Sequence, residues 1–179
     1  MTLQDLLDPL LDASQKGFPH HSGPLRRSAI GSQGWNVLKG DLPLPLAVIR
    51  RDALDGNLKW MQGFAGDHGV GLAPHGKTTM SPQLFRRQLD GGAWGLTFAT
   101  VGQLRAGVAA GATRCIIANQ VFRAIDLQGI DDLKRAHAGL SVAFLVDSLE
   151  QLALIEAWNA ASKGAQPQDV LLEIGVDGG

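Results

Sequence analysis

A single cysteine, Cys115, stands in 179 residues, and that scarcity excludes a disulfide framework or a Cys-x-x-Cys metal pattern. Cys115 falls inside the apolar run CIIAN, where a thiol serves as a small packing group more often than as a nucleophile. Charge of one sign is equally scarce, since 16 Lys and Arg against 17 Asp and Glu leave a net charge of −1. Basic residues gather only in short pairs such as Arg26-Arg27, Arg50-Arg51 and Arg86-Arg87. No footprint for nucleic acid or an anionic membrane results. No apolar run approaches the roughly 20 residues of a transmembrane helix, and MTLQDLLDPLLDAS carries acids where a signal peptide carries Lys or Arg. A reducing, cytoplasmic setting is therefore expected. Rossmann and P-loop readings are set aside, because GVAAG and GVGL lack the GxGxxG spacing after a strand and no GxxxxGK[ST] run is recognised.

Hydrophobic residues at 45% and charged residues at 18% describe an ordinary globular chain, of a length typical for one domain. Leu3, Leu6, Leu7, Leu10 and Leu11 follow helical spacing and predict a first helix that Gly17 stops. Residues 17–45, rich in Gly, Pro, His and Ser, predict an extended arm ending in GDLPLPL. Residues 1–45 are thus set apart from a main fold over 46–179. His20-His21 in the arm gives no metal site, because adjacent side chains diverge and no third ligand is near.

From Leu46 a rhythm begins. LAVIR (46–50), VGLAPH (70–75), WGLTFA (94–99), RCIIAN (114–119), SVAFLVD (141–147) and VLLEIGV (170–176) are predicted strands. Between them, Asp52 caps a helix with the stripe Leu54, Leu58, Met61 and Ala65, and Ser81-Pro82 starts another through about residue 89. Thr100 with Gln103, and Ser148 with Gln151, are capping boxes, and a further helix covers about 125–137. Such alternation predicts βαβ units and a parallel sheet. Six strands, the last followed only by Asp177-Gly178-Gly179, favour a truncated eight-stranded barrel over an open doubly wound sheet.

Chemistry in such folds collects at the carboxyl ends of strands. There the sequence places His75 and Lys77, Thr97 and Thr100, Asn119 and Gln120, Asp147 and Ser148, and Glu173 and Asp177. Thr100, Asp147 and Ser148 sit where helices need caps, which is the commoner role. Lys77 has no neighbouring acid in sequence, and Gly76 and Thr78 beside it leave room for a ligand. Partial loss of water at an apolar strand end favours a neutral amine that forms a Schiff base with an aldehyde. His75, two residues earlier, shares its face if the strand continues. The residues alone leave both a solvated loop lysine and a reactive amine open.

Residues 44–112, running from LPLAVIRRDALDG through APHGKTTMSP to GVAAGA, and then CIIANQVF, resemble the D-threonine aldolase and D-serine dehydratase family. The similarity extends from about Trp35 to the end and is strongest to the branch called amino acid deaminases. Pro74-His75-x-Lys77-Thr78 and Ala118-Asn119-Gln120 are its most specific parts. The resemblance implies a pyridoxal-phosphate enzyme of the alanine-racemase-like fold, in which this chain is the N-terminal half. The fold implied is α/β, a partial (β/α)8 TIM-type barrel truncated after about six strands, without its second half and C-terminal β domain. Lys77 would hold pyridoxal phosphate covalently and act as base at Cα of a D-amino acid, with His75, Thr78, Asn119 and Gln120 around the cofactor. The implied activity is a lyase forming an oxo acid and ammonia, with retro-aldol cleavage to glycine and an aldehyde, or a non-catalytic cofactor-binding barrel, as alternatives. A divalent metal, held outside this chain, and a homodimer are implied for the full-length protein. The chain departs from the family at Thr79 and Met80, where His and Lys are commoner, and that bears on substrate. The arginine that often follows the family's DxGxGR-like turn is not assigned, because the sequence given ends at Gly179.

Overall fold

A computed structural model of the chain describes residues 2–175. The chain forms two compact units, the first running to Lys59 and the second starting at Trp60.

In the first unit, helix α1 (Leu3–Leu7) begins with Thr2, whose hydroxyl accepts from the Asp5 amide while the Asp5 carboxylate accepts from the Thr2 amide. The helix is shorter than its leucine spacing predicts. Pro9 disfavours helical geometry at Asp8, which takes φ −131° and ψ 61°. Leu10 and Leu11 instead form strand β1 (Leu10–Leu11), antiparallel to β2 (Leu25–Arg26). Asp8 then serves a different end, accepting from the Ser28 amide (2.7 Å) and hydroxyl (2.9 Å). Gly17 stops no helix. A Cβ there would lie 2.2 Å from Leu46 Cδ1, so its lack of a side chain admits that leucine. The expected extended arm is partly wound into 3-10 turns over Arg27–Gln33 and Val37–Lys39, the second capped by Asn36. Residues 46–50 form no strand, for a strand needs a ladder partner and none is present among the described residues. Helix α2 (Arg51–Asp67) follows and crosses into the second unit, with Asp52 in its first turn rather than at its cap.

The second unit is a βα succession: α3 (Pro82–Asp90), β3 (Leu96–Phe98), α4 (Val101–Ala109), β4 (Arg114–Gln120), α5 (Ala124–Ala136), β5 (Ser141–Val146), α6 (Leu149–Ala161) and β6 (Asp169–Leu172). The four strands lie in the order β3-β4-β5-β6, and every pairing is parallel. The predicted strand at 70–75 is an extended segment beside β3, bridging only at His75 opposite Thr97. Pro74 in its middle has no N–H for a ladder. The predicted last strand keeps only Asp169–Leu172, and Val176 to Gly179 lie outside the described residues.

One face of the sheet is sealed. Cys115 and Ile117 of β4 alternate into the core with Val142, Phe144 and Val146 of β5, and Leu104, Leu127 and Ile130 of the helices meet them. Burial pushes the Cys115 thiol up to about 12, in keeping with a packing role. Both capping boxes form in a shifted version. Gln103 and Gln151 reach back to the amides of Ala99 (2.9 Å) and Asp147 (3.2 Å), one residue before the caps Thr100 and Ser148. β6 is exposed on both sides, with Leu172 at 74% of its free surface.

A buried acid fastens the loop that leads to β6. Asp131 on α5 accepts from the Gln166 amide (2.7 Å) and from Arg135 Nε (2.6 Å), while Arg135 and Lys134 also donate to the carbonyls of Gly164 and Pro167. Burial raises the Asp131 carboxyl, but the bonds from Arg135 and Gln166 outweigh it and hold the group below its ordinary value of 3.8. Asp131→Ala is expected to destabilise the unit by about 2 kcal/mol, as for hydrogen bonds to a charged group. Because the folded value is depressed, that contribution is complete above the ordinary carboxylate range and fades as pH falls below it. Denaturant titrations at neutral and acid pH check both the loss and its disappearance.

Candidate active site

Parallel strands put all their carboxyl ends on one edge of the sheet, and that edge carries the chemistry-bearing residues named from sequence. The segment 72–76 is laid against β3 by five bonds, the longest from the Gly95 amide to Leu72 O (3.4 Å). The Trp94 amide donates to Leu72 O (2.7 Å), the Thr97 hydroxyl to Ala73 O (2.7 Å), the Thr97 amide to Pro74 O (2.9 Å) and the Gly76 amide to Thr97 O (2.8 Å). Thr97 is therefore buried fastening and not part of an open rim.

The chain then leaves the sheet. Gly76 is buried, and a Cβ on it would fall 2.6 Å from Phe98 Cε1 and 2.7 Å from Phe85 Cε1. The expected free space beside Lys77 is thus filled by two rings, themselves edge-to-face at 5.5 Å and 76°. The Met80 amide donates to Gly76 O (3.0 Å), closing a turn over Lys77, Thr78 and Thr79. Ser81 follows as the cap of α3, its hydroxyl accepting from the Leu84 amide. His75, Lys77 and Thr78 are all exposed. The partial burial expected for Lys77 is absent, and because the strand ends at His75 the two do not share a strand face. Among the described residues Lys77 Nζ has no ion pair or hydrogen bond.

The octapeptide Gly71–Thr78, GLAPHGKT, spells the GxxxxGK[ST] phosphate-loop pattern, which the exclusion from sequence overlooks. The structure removes that reading on other grounds. Its first half is paired along β3, the Gly76 amide is used by Thr97, and the next helix starts only at Pro82.

Asn119 and Gln120 end β4, where the register with β5 shifts between Ile117 and Gln120. Such an irregularity breaks the alternation of a strand and re-aims its side chains. Adjacent residues here serve opposite neighbours. Asn119 Nδ2 donates to Ala99 O after β3 (3.0 Å), whereas Gln120 Nε2 donates to Asp147 Oδ2 (2.8 Å) and Glu173 Oε2 (2.6 Å) after β5 and β6. The pair laces the carboxyl ends of four strands. Asp147 is not a cap but a partner in this lacing, and Asp177 lies outside the described residues. The lacing went unseen in sequence, although a polar pair interrupting the run CIIA was its one signal.

No family model matches the chain. It is 33% identical over 135 residues to a D-threonine aldolase from Arthrobacter sp., covering 75% of this chain and 34% of that protein. To a D-threo-3-hydroxyaspartate dehydratase from Delftia sp. (strain HT23) it is 30% identical over 137 residues, 76% of this chain and 35% of the relative. The metal-free form of a variant of a D-threo-3-hydroxyaspartate dehydratase superposes with a TM-score of 0.66 at 31% identity, over 74% of this chain and 34% of the other. The chain belongs to this family. The match spans about a third of the length of these relatives.

Within this member of the family, the lysine turn depends on Gly76. Gly76→Ala is expected to cost about 1–3 kcal/mol, the usual penalty for forcing an atom into a packed core, and to shift the Lys77 turn. A lower midpoint in urea with an unchanged slope checks the packing claim, and a midpoint equal to the parent's contradicts it.

Proposed function

We propose that the chain is the lysine-bearing part of a pyridoxal-phosphate-dependent lyase that converts a D-hydroxy amino acid to an oxo acid and ammonia. One observation carries the proposal: Lys77 is an exposed amine, without a charged partner among the described residues, on a closed turn at the carboxyl edge of a parallel sheet. Kinship to an aldolase and a dehydratase of D-amino acids supports it. In the same proposal residues 46–179 are the first part of a (β/α)8-type barrel, preceded by an N-terminal helix and arm over 1–45, and the complete protein is a homodimer acting on a small molecule.

The donor set suits the cofactor's aldehyde, which needs a primary amine not already held in an ion pair. When bound, the cofactor supplies an electron sink for charge developing at Cα. Lys77 Nζ binds it covalently and takes the Cα proton. The Thr78 hydroxyl and the His75 imidazole flank that amine in sequence and orient the ring. Gln120 has both amide hydrogens engaged by Asp147 and Glu173, so it offers only Oε1 as an acceptor. Asn119 keeps one N–H and its carbonyl oxygen beyond the bond to Ala99.

A divalent metal in the complete protein is a further part of the proposal, supported by a dehydratase structure described as a metal-free form. Among the described residues no three His, Cys, Asp or Glu side chains gather to hold such an ion, and no step is assigned to it. Retro-aldol cleavage is the second reading, favoured by the 33% identity to a D-threonine aldolase.

Assays of the full-length protein on D-serine and D-threonine separate the two, with ammonia and an oxo acid expected for the lyase proposed and glycine with an aldehyde for the second. Lys77→Ala is expected to lower either activity by at least about a hundredfold, the scale of a lost general base. Unchanged turnover in that variant would sink the assignment.

A further inference from the structure

Met80 is the only non-glycine residue with a positive φ among the described residues, at 41°. Eight other left-handed positions are filled by glycine, the residue that adopts this backbone without steric conflict. The exception stands three residues after Lys77. Its amide closes the turn back to Gly76 O (3.0 Å), in the pattern by which a left-handed residue ends a helical turn. The other end of that turn is immobile, since Gly76 is bonded to Thr97 and gripped by Phe85 and Phe98. Immediately after it, Ser81 starts α3. A strained residue thus persists where both flanks are fixed, at the end of the turn that carries the lysine of the candidate site.

We propose that Met80 is a positioning residue for Lys77, holding the lysine turn closed with a backbone that a side chain narrows and glycine would loosen. The proposal rests on Lys77 being the cofactor lysine. Its chemistry resides in the backbone of position 80, not in the thioether.

Three variants of the full-length protein test it: Met80→Gly, Met80→Asn and Lys77→Ala. Asparagine keeps a Cβ and tolerates the left-handed region, whereas glycine removes the restriction. Met80→Gly is expected to keep or raise Tm in the cofactor-free protein, yet to take up pyridoxal phosphate at Lys77 and turn over about tenfold more slowly, with KM little changed. Met80→Asn is expected to stay within about twofold of the parent in uptake and turnover. A glycine variant as fast as the parent, a glycine variant of lower Tm, or an asparagine variant as slow as the glycine one overturns the proposal. If the parent fixes no cofactor on Lys77, the functional assignment itself fails, and that result is distinct from the other three.

Discussion

Phe98 occupies the point on which the second unit's geometry depends. Its ring is fully buried, edge-to-face with Phe85 and pressed against two glycines. A Cβ on Gly107 would lie 2.2 Å from Phe98 Cζ, and one on Gly76 2.6 Å from Cε1. Helix α4 approaches β3 through Gly107, and the lysine turn approaches through Gly76. An aromatic core residue of this size contributes several kcal/mol, and here the same contact decides where an exposed turn begins. Rigidity is thereby passed from the core to the surface: a reactive group on a loop is useful only where a packed scaffold fixes the loop's ends.

The carboxyl edge has a second support made of amides. Asn119 and Gln120 bind neighbours on either side of β4, and Gln103 and Gln151 fasten the starts of α4 and α6 to the strands before them. Gln151 also donates to Leu145 O (2.8 Å) and Val121 O (3.2 Å) while itself buried. Four glutamine and asparagine side chains thus replace the ladder where strands end and backbone groups lose their partners. Polar residues at strand ends need not be catalytic. In this rim most are structural, which leaves Lys77, His75 and Thr78 as exposed residues whose side chains hold no neighbour among the described residues.

The sequence was most legible where one local rule governs. Ser81, Thr100 and Ser148 cap helices as their spacing indicates, the parallel sheet follows from the βα alternation, and Cys115 packs. Tertiary demands defeated the other expectations. Pro9 ended a helix that five leucines suggested, and residues 46–50 had strand composition without a partner to pair with. Gly76 looked like open space beside a lysine because a missing side chain reads the same whether a ligand or a phenylalanine ring fills the gap. The family was legible from Pro74-His75-x-Lys77-Thr78, yet the exposure of Lys77, the rim lacing and the strained Met80 depend on φ, register and packing that no short motif encodes.

In the proposed function one amine takes the cofactor, and that amine is Lys77. Besides Lys77 the chain has five lysines, Lys16, Lys39, Lys59, Lys134 and Lys163. Borohydride fixation of pyridoxal phosphate on the full-length protein, followed by peptide mass analysis, distinguishes them. Modification confined to the peptide containing Lys77 is the expected result. Modification of another lysine, or of none, contradicts the account.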